Sequence, residues 1–350
     1  MIDMQALQTM QAAFIEGPRK VRVREVNIPE LGAQEVLIRV HCVGVCATDL
    51  EIYEGSMIYF KTGQASFPII PGHEWAGEVV QIGNKVNGFT IGDRVVGETT
   101  IACGRCDYCI KGRYNLCPER VENGVMGKDG ACAEYMVYPA HALHKFDPSI
   151  SFEEAALIET SAVAYRGVEK LKLTPNDHVL VIGAGPVGLL SVQMAKAFGA
   201  HKVTLLDLRE NRLQMGKQLG ADEMINLSIL KDNEPIESFT AIVEATGNPA
   251  AVESVFSYAV PGARVCLMGL CGGKHAHINV DKLVTYDMEI HGSLGSPGVW
   301  DAVIKLYESG KVKARELITH RLSFYEIEKA FEIMEQRDPS VIKILLSNKV

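Results

Sequence analysis

The spacing of hydrophobic and polar positions changes character along the chain. Over roughly the first 150 residues, short β-branched runs at 21–26, 35–43 and 78–82 are separated by clusters of Gly, Pro, Asn and Asp. That spacing predicts a β-rich region with long loops. At Ser151 the pattern switches: a hydroxyl stands where a helix would be capped, Glu154 follows three residues later, and an Ala-rich run extends to about residue 171. This is the signature of a helix start, here expected to cross between two domains. From 177 to 292, apolar runs at 178–182, 203–206, 241–245, 264–268 and 289–292 alternate with helical segments, as in a parallel sheet with crossover helices. The tail carries helical patterns at 299–309 and 325–335 and a strand-like end at 340–346, and is expected to return to the first domain.

A chain of 350 residues suits two domains better than one core. Its composition, 47% hydrophobic and 22% charged, is that of a soluble globular protein. No apolar run is long enough to span a membrane, and the first residues lack the layout of a secretory signal, so a cytoplasmic setting is expected. A formal charge of -8 and the absence of any Lys/Arg block disfavour nucleic acid and leave a small molecule as the expected ligand. Of nine cysteines, four fall within fifteen residues, which points to metal rather than disulfides.

The first apolar run of the alternating region leads into Gly183-Ala184-Gly185-Pro186-Val187-Gly188 and then a helix. Strand, glycine turn and helix in that order are what a dinucleotide pyrophosphate needs: Gly183 for the tight turn, Gly185 for close approach, Gly188 for packing of helix on strand. The helix N-terminus then faces the phosphates. The next run ends at Asp207, nineteen residues after Gly188, where a carboxylate can accept hydrogen bonds from ribose and repel a 2'-phosphate. NAD is therefore favoured over NADP, with Arg209 pulling the other way; Arg212 joins Pro186, Val187 and Asp207 as an expected cofactor residue.

Cys103, Cys106, Cys109 and Cys117 can wrap one tetrahedral Zn²⁺ in a closed, structural site. An iron–sulfur cluster also takes four thiolates, although the seven-residue gap fits neither ferredoxin spacing considered. A second group is more dispersed. Cys46 and the pair His73-Glu74 lie on segments that read as loops after strands, and Glu159 interrupts an apolar helical stretch. These are ligand types that zinc accepts, yet each has an ordinary packing role open to it, and spacing alone does not join them.

Taken in order, Gly44-Val45-Cys46-Ala47-Thr48-Asp49, Pro71-Gly72-His73-Glu74, Gly92-Asp93-Arg94-Val95, the four-cysteine lobe, Glu159 and the Gly183 loop resemble the zinc-containing medium-chain dehydrogenases over nearly the whole chain. The resemblance implies an α/β protein with a GroES-like β-rich catalytic domain at 1–158 and 299–350, including a structural zinc lobe at about 98–120. A doubly wound Rossmann domain at 159–298 would bind NAD, with the active site between the two. It further implies a catalytic zinc at Cys46 and His73, with Glu74 and Glu159 as alternatives for the third ligand or for holding the zinc-bound water. Thr48 matches the hydroxyl that accepts the alcohol proton. Glu51 stands where the family often ends that relay with His.

A glutamate rather than cysteine at 159 resembles the sorbitol and threonine dehydrogenase branch. The implied reaction is zinc-assisted oxidation of a secondary alcohol on a polyol or cyclitol, with hydride transfer to NAD⁺. L-Threonine 3-dehydrogenase is the alternative, with an aminocyclitol or sugar-phosphate dehydrogenase behind it; a non-catalytic NAD-binding zinc protein is the alternative from another class. The loop 54–66, with Tyr59, Phe60 and Lys61, is expected to shape the pocket. A dimer or tetramer joined through an edge strand at 289–294 is expected as well.

Overall fold

A computed structural model describes residues 8–230 and 237–347. The chain separates into two compact units: Met1–Glu159 with Ser296–Glu308 and Ala314–Val350, and Thr160–Gly295 with Ser309–Lys313.

The first unit is built on a seven-stranded sheet. Its strands run in the order Leu143–Lys145, Arg94–Gly97, Glu74–Ile82, Glu35–Val45, Lys343–Ser347 and Ile318–Ser323, with Tyr135–Pro139 also paired to Glu35–Val45. The long strand Glu35–Val45 is half-buried or buried at every position, so it forms the spine of the sheet. Its register with Glu74–Ile82 slips twice, between Leu37 and Ile38 and between Val40 and Cys42. Such bulges bend a strand and re-aim its end. The end in question is Gly44, which lies opposite Glu74 on one side and Leu345 on the other.

The tail belongs to this unit. Lys343–Ser347 pairs antiparallel with Glu35–Val45, and Phe324, Ile327, Phe331, Ile344 and Leu346 join the same core as Ile38, Trp75 and Tyr138. Tyr53 and Phe331 stack at 4.7 Å between ring centroids. Two tail features lie outside the sequence reading. The strand Ile318–Ser323 was not anticipated, and Ser309–Lys313 groups with the second unit.

Ser151 caps its helix through the Glu154 N–H, and Glu154 returns a bond to the Ser151 N–H at 3.1 Å. The single helix expected from 151 to 171 is nevertheless two, Phe152–Ala155 and Ile158–Glu169, broken at a turn over Ala156 and Leu157. The chain passes from one unit to the other inside the second helix.

The second unit is a parallel six-stranded sheet in the order Glu223–Asn226, Lys202–Asp207, His178–Ile182, Phe239–Glu244, Ala259–Leu267, Glu289–Gly292. Numbered along the chain, that order is the doubly wound arrangement in which the first strand is central. Its inner strands are largely apolar runs because both faces are covered, and only the outer strand Glu223–Asn226 escaped the sequence pattern.

Candidate active site

Cys46 directly follows the spine strand and occupies the cap position of the helix Ala47–Glu54, with extended backbone at φ -104°, ψ 159°. Three residues on, Asp49 turns back and accepts the Cys46 N–H at 2.9 Å, while its other oxygen accepts the Gly72 N–H at 3.1 Å. One buried carboxylate thereby fixes both the Cys46 turn and the His73 turn. His73 Nδ1 lies 3.6 Å from Asp49 Oδ1 and is buried without a hydrogen-bond partner.

The Cys46 Sγ, a His73 ring nitrogen and a Glu74 carboxylate oxygen lie within 4.8 Å of one another. Thiolate, imidazole and carboxylate in that space are a donor set that suits zinc, and a carboxylate behind the histidine is the usual means of orienting such a ligand. Burial opposes charging of His73, but Asp49 and Cys46 outweigh it and hold its pKa well above the ordinary value.

Glu74 is the first residue of a strand rather than part of a loop after one, because it pairs with Gly44. A side chain at Gly44 would collide with Glu74 Oε2, so the glycine leaves the carboxylate its room. Both Glu74 oxygens are held by Lys343 Nζ, at 2.8 and 2.6 Å. Glu159, in the helix Ile158–Glu169, accepts the Thr99 hydroxyl at 2.9 Å. Burial, which His73, Thr99 and Lys343 only partly offset, pushes its pKa up to about 7. Glu159 lies outside the three-residue cluster that Cys46, His73 and Glu74 form.

The first turn of Ala47–Glu54 carries Thr48, and Glu51 follows one turn later, so the two share a helix face. Burial and Glu54 raise the Glu51 pKa. The segment 54–66 is not an open loop throughout: Ile58–Lys61 forms a short helix, and Tyr59 hydrogen-bonds Arg120.

The four sulfurs of Cys103, Cys106, Cys109 and Cys117 also lie within 4.8 Å of one another. Backbone N–H groups of Arg105 and Cys106 aim at Cys103 and pull its pKa down to about 6. The short strands Thr100–Ile101 and Val121–Asn123 pair to close the base of this lobe. None of the nine cysteines is in a disulfide.

In the second unit, Gly183 adopts φ 102° at the end of the central strand, and a side chain there would strike Thr246. A side chain at Gly188 would collide with the Gly183 carbonyl, whereas the space beside Gly185 is open. Pro186 and Val187 begin the helix Pro186–Ala197. Asp207 ends the neighbouring strand and accepts the Ala184 N–H at 2.7 Å and the Arg209 N–H at 2.9 Å. A carboxylate has further lone pairs to offer a ribose. Burial and Arg209 lower the Arg212 pKa, with Asp207 opposing. The Asp207 carboxylate thus has the Arg212 guanidinium within electrostatic reach.

Three residues around Cys46, His73, Glu74 and Glu159, the open metal site as opposed to the closed four-thiolate lobe, were missed by sequence reasoning. Asp49 stood in a quoted motif without a role, and its signal was an acid three residues after a helix cap. Thr99 and Lys343 had no local signal, since their partners lie 60 and 269 residues away.

Residues 32–148 match the alcohol dehydrogenase GroES-like domain, and residues 186–309 match the zinc-binding dehydrogenase domain. A sorbitol dehydrogenase of Bacillus subtilis is 33% identical over 345 residues, 97% of each chain. An L-threonine 3-dehydrogenase of Symbiobacterium thermophilum is 35% identical over 340 residues, 95% of this chain and 94% of that one. An alcohol dehydrogenase from Escherichia coli CFT073, solved with NADH, superposes with a TM-score of 0.90 at 29% identity, covering 97% of this chain and 99% of that one. The zinc-binding family makes zinc, rather than an iron–sulfur cluster, the metal this chain draws on, and the four-thiolate lobe fits it. It follows that this chain belongs to the zinc-containing medium-chain dehydrogenases of the alcohol dehydrogenase superfamily, enzymes that draw on zinc and a nicotinamide cofactor.

Proposed function

We propose that this enzyme oxidises a secondary hydroxyl of a polyol, sugar alcohol or cyclitol to a ketone, with NAD⁺ as hydride acceptor. The observation that carries this reading is the carboxylate-rich surround of the open metal site: Glu74 and Glu159 are both buried beside Cys46 and His73. The similarity to a sorbitol dehydrogenase over 97% of the chain supports it.

In this reading Cys46, His73 and Glu74 hold the catalytic zinc, with Glu159 as the alternative carboxylate. Zinc bound there supplies Lewis acidity toward a substrate oxygen. Asp49 keeps the His73 ring oriented, and Lys343 balances Glu74. The Thr48 hydroxyl takes the substrate proton, and Glu51, on the same helix face, receives it next; burial and Glu54 raise its pKa, which favours its protonated form. In the second unit the Gly183 loop and the N-terminus of Pro186–Ala197 take the pyrophosphate, and Asp207 takes the ribose.

The decisive assay follows NAD⁺ reduction across sorbitol, xylitol, inositols, 2,3-butanediol, a sugar phosphate and L-threonine, with zinc measured on the same sample. Turnover of a polyol is expected. The second reading is L-threonine 3-dehydrogenase, favoured by the 35% identity to the Symbiobacterium enzyme, and exclusive turnover of threonine would replace the first.

A cytoplasmic homo-oligomer goes with this function. No described helix is long and apolar enough to cross a membrane. Glu289–Gly292 is the last strand of its sheet, and Leu294 beyond it is exposed. Edges of that kind invite strand pairing with a second copy. Light scattering at the mass of a monomer would overturn the assembly.

A further inference from the structure

The open site and the four-thiolate lobe are joined by two residues at the base of the lobe. Thr99 stands immediately before the lobe's first strand, Thr100–Ile101, and Asn123 ends its return strand, Val121–Asn123. The Asn123 N–H donates to the Thr99 carbonyl at 2.9 Å, so the two are locked together. Each then reaches a different wall of the open site: the Thr99 hydroxyl donates to Glu159 Oε1 at 2.9 Å, and the Asn123 side-chain amide donates to the Gly72 carbonyl, next to His73, at 3.2 Å.

Asn123 is fully buried, and Glu159 is only 8% exposed. The Gly72 turn has little freedom to move away. Asp49 holds its N–H, Ala131 donates to its carbonyl at 2.8 Å, and a side chain at Gly124 would meet its backbone. On the lobe side, the residue before Thr99 is anchored as well. Glu98 accepts the hydroxyl of Tyr114, which lies between the third and fourth cysteines, at 2.6 Å, and His144 Nε2 sits 2.9 Å from its other oxygen.

We propose that Thr99 and Asn123 are positioning residues of the open metal site, and that the four-thiolate lobe, by holding them, sets how firmly that site keeps its metal. The inference rests on the reading of Cys46 and His73 as zinc ligands and of Glu159 as a carboxylate of the same site. Partners that orient a ligand typically change metal affinity by about 10–100-fold when removed. Thr99 and Asn123 orient ligand walls in that sense, without touching substrate or cofactor.

The test is zinc release from the loaded enzyme to a coloured chelator, in which the two sites are told apart as separate kinetic phases. Thr99→Val keeps the side chain's shape and removes its hydroxyl. Release from the open site is expected to quicken about tenfold or more, with the lobe phase unchanged and Thr99→Ser restoring the wild-type rate. Asn123→Ala is expected to act in the same direction, and so is Tyr114→Phe, by a smaller factor, because every thiolate stays in place. A cobalt-substituted enzyme gives an independent readout, since Thr99→Val should alter the visible spectrum of the open-site ion. Wild-type release by Thr99→Val, or equal acceleration of both phases, overturns the proposal while leaving the zinc reading intact. Wild-type release by Tyr114→Phe removes the lobe from it. A wild-type enzyme that takes up metal at the lobe only overturns the zinc reading, and the proposal with it.

Discussion

Lys343 Nζ lies 2.8 and 2.6 Å from the two oxygens of Glu74, and both side chains are almost completely withdrawn from solvent. A buried pair of this kind is costly to leave half-made, since the surviving charge has lost water and gained nothing. Lys343→Met is therefore expected to destabilise the fold by about 3–5 kcal/mol, with Lys343→Met/Glu74→Gln recovering much of the loss. Denaturant titration of the three proteins checks this. A Lys343→Met protein as stable as wild type would show that Glu74 finds another partner.

Cys46→Ser is expected to leave one zinc per chain where the four-cysteine lobe and the Cys46, His73 and Glu74 cluster would together hold two. Oxidation should fall about 100-fold or more, because the missing ion supplies several kcal/mol of charge stabilisation. Elemental analysis alongside turnover checks both parts; full zinc content in Cys46→Ser would place the second ion elsewhere.

Thr48→Ala is expected to lower kcat by about 10²-fold or more while Thr48→Ser retains activity, as for loss of a group that moves a proton. Glu51→Gln should shift the pH profile of kcat rather than abolish turnover, because water can still carry a proton from this half-buried helix face. An unchanged profile would remove Glu51 from the path.

Burial lifts the Glu159 carboxyl in the metal-free chain from its ordinary 4.5 to about 7. Such a group binds its proton more tightly folded than unfolded. Its stabilising contribution is full below about 4.5 and is lost as pH rises through about 7. Chelator-treated wild type should lose stability across that window, and Glu159→Gln should lose less. Parallel melting curves for the two proteins from acid to neutral pH would contradict the assignment.

Asp207→Ser is expected to raise the KM for NAD⁺ by about 10–100-fold, the cost of hydrogen bonds to a charged acceptor. Arg212 would then lose the carboxylate it interacts with, so the preference for NAD⁺ over NADP⁺ should narrow. Steady-state kinetics with both cofactors checks this, and an unchanged preference would move the discrimination away from Asp207.

The elements and groups legible in the sequence share one property: their determinants are local. The Gly183 turn, the Ser151 and Glu154 cap and the four cysteines each lie within a few turns of chain, so backbone sterics and ligand spacing define them without tertiary information. The central strands of the parallel sheet were equally plain, because burial on both faces makes them unbroken apolar runs. Resemblance joined Cys46 to His73, and only folding explained the junction: two bulges in the spine strand and the single carboxylate of Asp49 bring the turns together. The pairing of Glu74 with Lys343, 269 residues apart, and of Glu159 with Thr99 was decided by sheet register and by the base of the cysteine lobe. Register depends on the partner strand, which no local pattern of apolar residues can name; that is why the candidate ligands could be picked out along the chain and the groups packed behind them could not.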